Sequence, residues 1–248
     1  MEEKLAFLDE HYLSHFDYLD VDSVIQEQKA FGACQDVTLE YPVAENEGEE
    51  DNTYLSYNMV VGNAADSQMA MAFEVLDYAL LSAPGAPLKQ ALLDVKAGKD
   101  VYGSYDDGIL QPYFTVIAKG SNPDRKEEFV SVIRQVLGDI VKNGIDKKAV
   151  EAGINYFEFR YREADFSSYP KGLMYSLDIL GDWLYEKGNP FAQVQQLTVF
   201  EKLKKAVNAG YFEELIRKYL LENPHGCIMT LVPKKGLAAQ REKELEEK

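Results

Sequence analysis

From Thr53 to Val61 apolar and polar side chains alternate strictly, with Leu55, Tyr57, Met59 and Val61 on one side and Tyr54, Ser56 and Asn58 on the other. A period of two sends successive side chains to opposite faces of a strand, so this segment is predicted to be a half-buried β-strand. Val37 to Val43 repeats the pattern with Val37, Leu39 and Tyr41 together, and ends in Pro42 and the acidic run Glu45 to Asp51, read as a solvent loop. The period then changes to that of a helix. Asp66 is placed to cap a helix with the stripe Met69, Phe73, Leu76 and Leu80, which Ser82-Ala83-Pro84-Gly85 stops. Pro87 starts a shorter helix carrying Leu88, Leu92 and Val95, and Gly98 is read as its end.

Two more strands are predicted at Asp100 to Tyr105 and Tyr113 to Ala118, joined through the turn signal Asp106-Asp107-Gly108. Asn122-Pro123 opens a long helix with Phe129, Val132, Ile133, Val136, Leu137 and Ile140 inward and Gly144 at its end. Asp146 begins another, where Val150, Ile154, Phe157 and Tyr161 share a face and Glu158 and Arg162 stand one turn apart on the other. Helical patterns continue through Leu173 to Tyr185, Phe191 to Val207 and Tyr211 to Leu220, and Cys227 to Val232 reads as a last strand. Near the start, Leu5, Leu8, Tyr12 and Phe16 predict a short helix, while Asp20 to Gln35 shows no period. Strands first, then helices, a hairpin, a helical block and a final strand make an α+β protein: two layers, a largely antiparallel sheet with helices packed on one face. The expected organisation is an entry segment over 1–36, one domain over 37–233 and a charged tail over 234–248.

Composition narrows the function classes. With 46% apolar and 27% charged residues the chain has material for a core, and two cysteines, Cys34 and Cys227, make no disulfide framework. No apolar run reaches the roughly 18–20 residues of a membrane-spanning helix. The formal net charge of -16 is concentrated: residues 1–51 hold 15 acidic residues against Lys4 and Lys29, whereas the remainder holds 27 acidic and 24 basic. A nearly neutral body offers nothing to a phosphate backbone, so no nucleic acid is expected. The acidic segment is either a solubilising stretch or a steering field for cationic peptides. Met1-Glu2-Glu3-Lys4 lacks a secretory signature, which points to a cytoplasmic protein.

Candidate chemistry is sparse. His11 and His15 stand four apart, the spacing of two zinc ligands on one helical face, but the position of a general-base Glu is Ser14. His225 is remote from both in sequence. Neither cysteine has a neighbouring base, and no Gly-x-Ser-x-Gly elbow or phosphate loop is present. Among 42 carboxylates an acid/base pair remains open only if a pocket brings two Asp or Glu together with shifted pKa values. Aromatics concentrate from Tyr156 to Phe191 beside Arg160 and Arg162, half at core spacing and half free to grip a peptide.

Four stretches together carry a resemblance: Tyr12-Leu13-Ser14-His15-Phe16-Asp17; Thr53-Tyr54-Leu55-Ser56; Phe159-Arg160-Tyr161-Arg162-Glu163-Ala164-Asp165 running to Pro170-Lys171-Gly172-Leu173; and Asn223-Pro224-His225 before a strand and Pro233. Over about residues 5–240 the chain resembles the presequence-protease branch of the insulinase/pitrilysin zinc metallopeptidases. That family's zinc helix carries His-x-x-Glu-His in its first domain, and this motif is absent here. The order of elements is similar to the second, non-catalytic domain, a LuxS/MPP-like half-domain. The resemblance implies a domain that forms the wall of a peptide-degrading chamber and anchors unfolded or extended peptides, inactive alone, with no cofactor in this chain, zinc in the full-length enzyme and other domains of the same polypeptide as partners. A free-standing module pairing with a separate catalytic subunit is the alternative. The family's peptide-anchoring exosite maps onto Ser82, Gly85, Val101, Tyr102 and Gly103, residues that equally suit a plain turn and a plain strand.

Overall fold

The alternation over 53–61 is realised as β2 (Thr53–Val60), every second residue of which is buried. The computed structural model describes residues 2–164, 166–185, 191 and 194–247. β1 (Gln35–Val43) precedes β2, and β3 (Asp100–Asp106), β4 (Tyr113–Ser121) and β5 (Gly226–Lys235) complete one sheet in the order β1-β5-β2-β4-β3. Among the described residues only β1 and β5 run parallel; the other three pairings are antiparallel. The last strand therefore sits between the first two, and the loop joining β1 to β2 passes its end, where the Lys235 amide donates to Glu49.

A helix α1 (Glu2–His11) lies at the start, and the helical layer consists of α2 (Ser67–Asp77), α3 (Pro87–Asp94), α4 (Lys126–Asn143), α5 (Lys147–Glu163), α6 (Lys171–Trp183), α7 (Leu197–Ala206) and α8 (Tyr211–Leu215); α9 (Leu237–Glu246) follows β5. Asp66 accepts from the Met69 amide at 2.9 Å and Asp146 from the Lys148 amide at 2.9 Å, so both caps are made as the sequence predicts. Gly144, at φ 94°, ends α4 in a backbone conformation that side chains disfavour. Phe73, Leu76 and Leu80 from the α2 region, Phe129, Ile133 and Leu137 from α4, Ile154 from α5, Phe200 and Leu203 from α7 and Phe212 from α8 meet Leu55, Tyr57, Met59, Phe114, Val116 and Ala118 on the inner face of the sheet. Each such side chain stabilises the fold by roughly 1.5–3 kcal/mol on burial. α9 lies along the β1 edge, where Arg241 donates to the Glu40 carbonyl at 3.3 Å.

Three expectations are corrected. The helix predicted over Leu5 to Phe16 stops at His11 and gives way to a 3₁₀ turn, Leu13–His15. Ser14 Oγ bonds back to the Glu10 carbonyl at 3.2 Å, a local alternative to helical pairing, and no core side of the helix is packed to resist it. The chain leaves α3 through Lys96, at φ 54°, before Gly98 is reached. The helix predicted from Phe191 begins at Leu197; residues 192 and 193, like Asp165 of the aromatic motif, lie outside the described residues.

Candidate functional site

Among the described residues β3 pairs with β4 alone and forms one edge of the sheet. Its side chains alternate as a strand requires: Val101 is buried in the core, Tyr102 stands on the outer face and is 38% exposed, and Gly103 returns inward. Above Gly103 the end of α2 opens into a wider π turn, Tyr78–Ser82. A Cβ on Gly103 would lie 2.2 Å from Leu81 Cδ1 and 2.4 Å from Asp77 Oδ1, so the glycine lets the helix end press on the strand. The space left by the missing side chain is filled from inside by Leu81 and Asp77 and offers no room to an approaching peptide. Gly85, at φ 74°, has nothing within 4 Å of an ideal Cβ, and so ends the helix with open space above it.

The turn and the strand are brought together through Asp77. Ser82 Oγ donates to Asp77 Oδ2 at 3.2 Å, and Oδ1 of the same carboxylate faces Gly103 without a hydrogen-bond partner. Asp77 is not among the candidate residues read from the sequence; its signal is a carboxylate that, with Glu74, interrupts the apolar run from Phe73 to Leu80, where only a tertiary contact explains an acid.

Glu74, one turn earlier, is pushed up to about 7 by burial, with the Asp107 and Asp77 charges adding to the effect and Arg160 opposing it. Asp77 is raised by burial against the opposing hydrogen bond from Ser82, and the Tyr105 phenol is raised by burial and then by Asp107. Two carboxylates with raised pKa values therefore stand one turn apart on α2, but among the described residues no cavity brings them together as acid/base chemistry requires. Neither lines a 460 Å³ cavity that lies between Ile25, Phe31, Met59, Leu110, Tyr113 and Cys227. There the polar groups serve each other: Gln111 binds the backbone of Gln28 at 2.7 and 3.1 Å, and Asn58 donates to the Cys227 carbonyl at 3.0 Å.

The remaining candidates separate. His11 ends α1 and His15 sits in the 3₁₀ turn, both exposed, so they do not share one helical face. His225 is buried and packs edge-on against Phe31 at 4.8 Å. Among the described residues no three His, Cys, Asp or Glu side chains converge as a metal requires, and these residues do not fit zinc. Burial raises both thiols, Cys34 and Cys227, which leaves them poor nucleophiles. Of the aromatics, Phe157 and Tyr161 pack on the core, whereas Tyr156, Phe159, Tyr169, Trp183 and Phe191 are exposed.

Residues 3–157 match the family described as the peptidase M16 inactive domain. The chain is 41% identical over 247 residues to Protein HypA of Clostridium perfringens, covering 100% of this chain and 25% of that one. It is 28% identical over 228 residues to Presequence protease 1, chloroplastic/mitochondrial, of Arabidopsis thaliana, covering 90% of this chain and 21% of that one. In fold it is similar to a protease from Helicobacter pylori, with a TM-score of 0.62 and 14% identity over 94% of this chain and 52% of that one. The chain thus spans about a quarter of the length of these curated relatives.

Proposed function

Since this chain belongs to the peptidase M16 inactive-domain family, we propose that it anchors an extended peptide for cleavage elsewhere in a longer protein and forms part of the wall that encloses it. It is a non-catalytic domain of a peptidase family whose relatives include presequence proteases. The observation that carries the anchoring role is the position of β3 at the sheet edge, paired among the described residues with β4 alone, beside the open turn at Gly85. A free strand edge offers main-chain donors and acceptors to any extended segment whatever its sequence, which suits a peptidase of unfolded substrates.

In this scheme Val101 holds the strand in the core, Tyr102 presents a side chain to one face of the bound peptide, and Ser82 and Gly103 fix the turn and strand to each other through Asp77. Zinc, which the family uses to activate water, would be held by another domain. The exposed aromatics of α5 and α6 are further peptide-facing surface.

Anisotropy of a fluorescein-labelled unstructured peptide titrated with this chain tests the proposal. Saturable binding is expected, with Tyr102→Pro weakening it at least tenfold because proline lacks the N–H and fixes φ, while Tyr102→Ala retains main-chain pairing and most of the affinity. Equal affinity of Tyr102→Pro and the native chain would remove β3 from the site.

A further inference from the structure

Neither the β3 edge nor the carboxylates beside it use the 460 Å³ cavity. Ile25 and Phe31 of the entry segment, Met59 at the end of β2, Leu110 between β3 and β4, and Cys227 at the start of β5 wall it. Apolar walls around open space forfeit contacts and favour collapse. Here they are held apart. Asn63 donates to Glu27 at 2.7 Å, the Gln28 amide donates to Gln111 Oε1 at 2.7 Å, and Gln111 Nε2 donates back to the Gln28 carbonyl at 3.1 Å. These bonds strap the entry segment to the body as a fixed wall. The volume falls in the range of small-ligand pockets, roughly 300–1,000 Å³.

One polar group of the lining is left over. His225 is only 7% exposed, and its ring packs edge-on against Phe31 with centroids 4.8 Å apart. Its backbone amide donates to Asn223 and its carbonyl accepts from Val60, but among the described residues nothing hydrogen-bonds the ring nitrogens. A neutral imidazole carries one donor and one acceptor, and leaving them unused in a buried site is costly. The complementary occupant is apolar over most of its surface and carries a hydroxyl. A phenol suits either tautomer, because its O–H both donates and accepts; a phenyl ring suits neither.

The cavity is also close to the sheet edge. Tyr113, a further wall residue, donates its hydroxyl at 3.1 Å to Asp106, the last residue of β3. Only β4 lies between β3 and β2 in the sheet, so two strand spacings separate them, about 10 Å or about three residues of extended chain.

Resting on the peptide-anchoring role proposed above, we infer that this cavity is a second subsite for the same extended peptide and takes a tyrosine side chain, its ring among the apolar walls and its hydroxyl hydrogen-bonded to the His225 imidazole.

Anisotropy of two labelled unstructured peptides that differ only in one Tyr or Phe tests this. The Tyr peptide is expected to bind the native chain about tenfold tighter. His225→Phe keeps a ring against Phe31 but has no nitrogen, and is expected to remove the difference by weakening the Tyr peptide alone. Cys227→Phe, at a half-buried wall position, fills the cavity and weakens both. N-acetyltyrosinamide reads the cavity without the sheet edge: saturable shifts of the His225 ring resonances in NMR spectra are expected, persisting in Tyr102→Pro, so a failure of β3 pairing and a failure of the cavity give different results. Equal affinity of the native chain for the two peptides overturns the subsite, as does an absence of those shifts. Both readouts use the native chain and stand even where a variant fails to fold. A Tyr preference that survives a folded His225→Phe also overturns it.

Discussion

At the scale of single residues, the carboxylates under β3 are the most informative groups. Glu74 has a folded pKa of about 7 against an ordinary 4.5, so the folded state retains a proton that the unfolded chain has lost between these values. The contribution of this group to stability is then greatest below about 4.5, falls as pH rises toward 7, and levels off above, a loss of about 3 kcal/mol. Asp77 is raised in the same sense and adds to the slope. Glu74→Gln is therefore expected to flatten most of the decline and to raise the urea midpoint at pH 8, measured against the native chain at pH 5 and pH 8. A native midpoint identical at the two pH values would contradict the burial of this carboxylate. Neither acid stands out in the sequence as a site. The helical stripe at Phe73, Leu76 and Leu80 is legible, but that Asp107 approaches Glu74 from a hairpin 33 positions along the chain is a property of the fold.

At the scale of elements, local signals proved sufficient where the physics is local. The Asp66 carboxylate bonds an amide three residues on, and such a bond is written in adjacent sequence. Asp66→Ala is expected to destabilise the chain by about 1 kcal/mol, read as a lower thermal midpoint with an unchanged far-ultraviolet spectrum; an unchanged midpoint would mean the cap contributes nothing. The Glu158–Arg162 pair predicted from its one-turn spacing forms at 2.6 Å, yet Lys204 of α7 joins the same carboxylate, a clamp between helices that spacing cannot show. The Glu158 carboxyl is held below its usual range by Lys204 first and Arg162 second. The exosite residues divide in the same way. Val101, Tyr102 and Gly103 are recognisable as a strand, but their place at an edge depends on which strands pair.

At the scale of the whole molecule, β5 decides the architecture. Among the described residues it is the sole partner of β1 and one of two partners of β2, so the first and last strands are held in one sheet across nearly the whole chain. A chain ending at Asn223 leaves β1 unpaired and opens the inner face at Ile228 and Thr230; it is expected to lose the cooperative thermal transition, followed by near-ultraviolet circular dichroism. A sharp transition like that of the full chain would show that the sheet tolerates the gap. The acidic charge is also redistributed by folding. Asp36 meets Lys126 at 2.7 Å, Glu40 meets Lys234 at 2.7 Å, and Asp51 is tied to Asn122 and near Lys99, so part of the charge of residues 1–51 is spent on surface pairs of about 0–1 kcal/mol each. By itself the sequence determined the elements, their caps, the inward face of β2 and the resemblance that names the family, because periodicity and capping act over a few residues. The tertiary structure alone decided the insertion of β5 between β1 and β2, the edge position of β3, the seating of Asp77 against Gly103 and the approach of Asp107 to Glu74, because each depends on contacts between residues far apart in the chain, whose register no local pattern encodes.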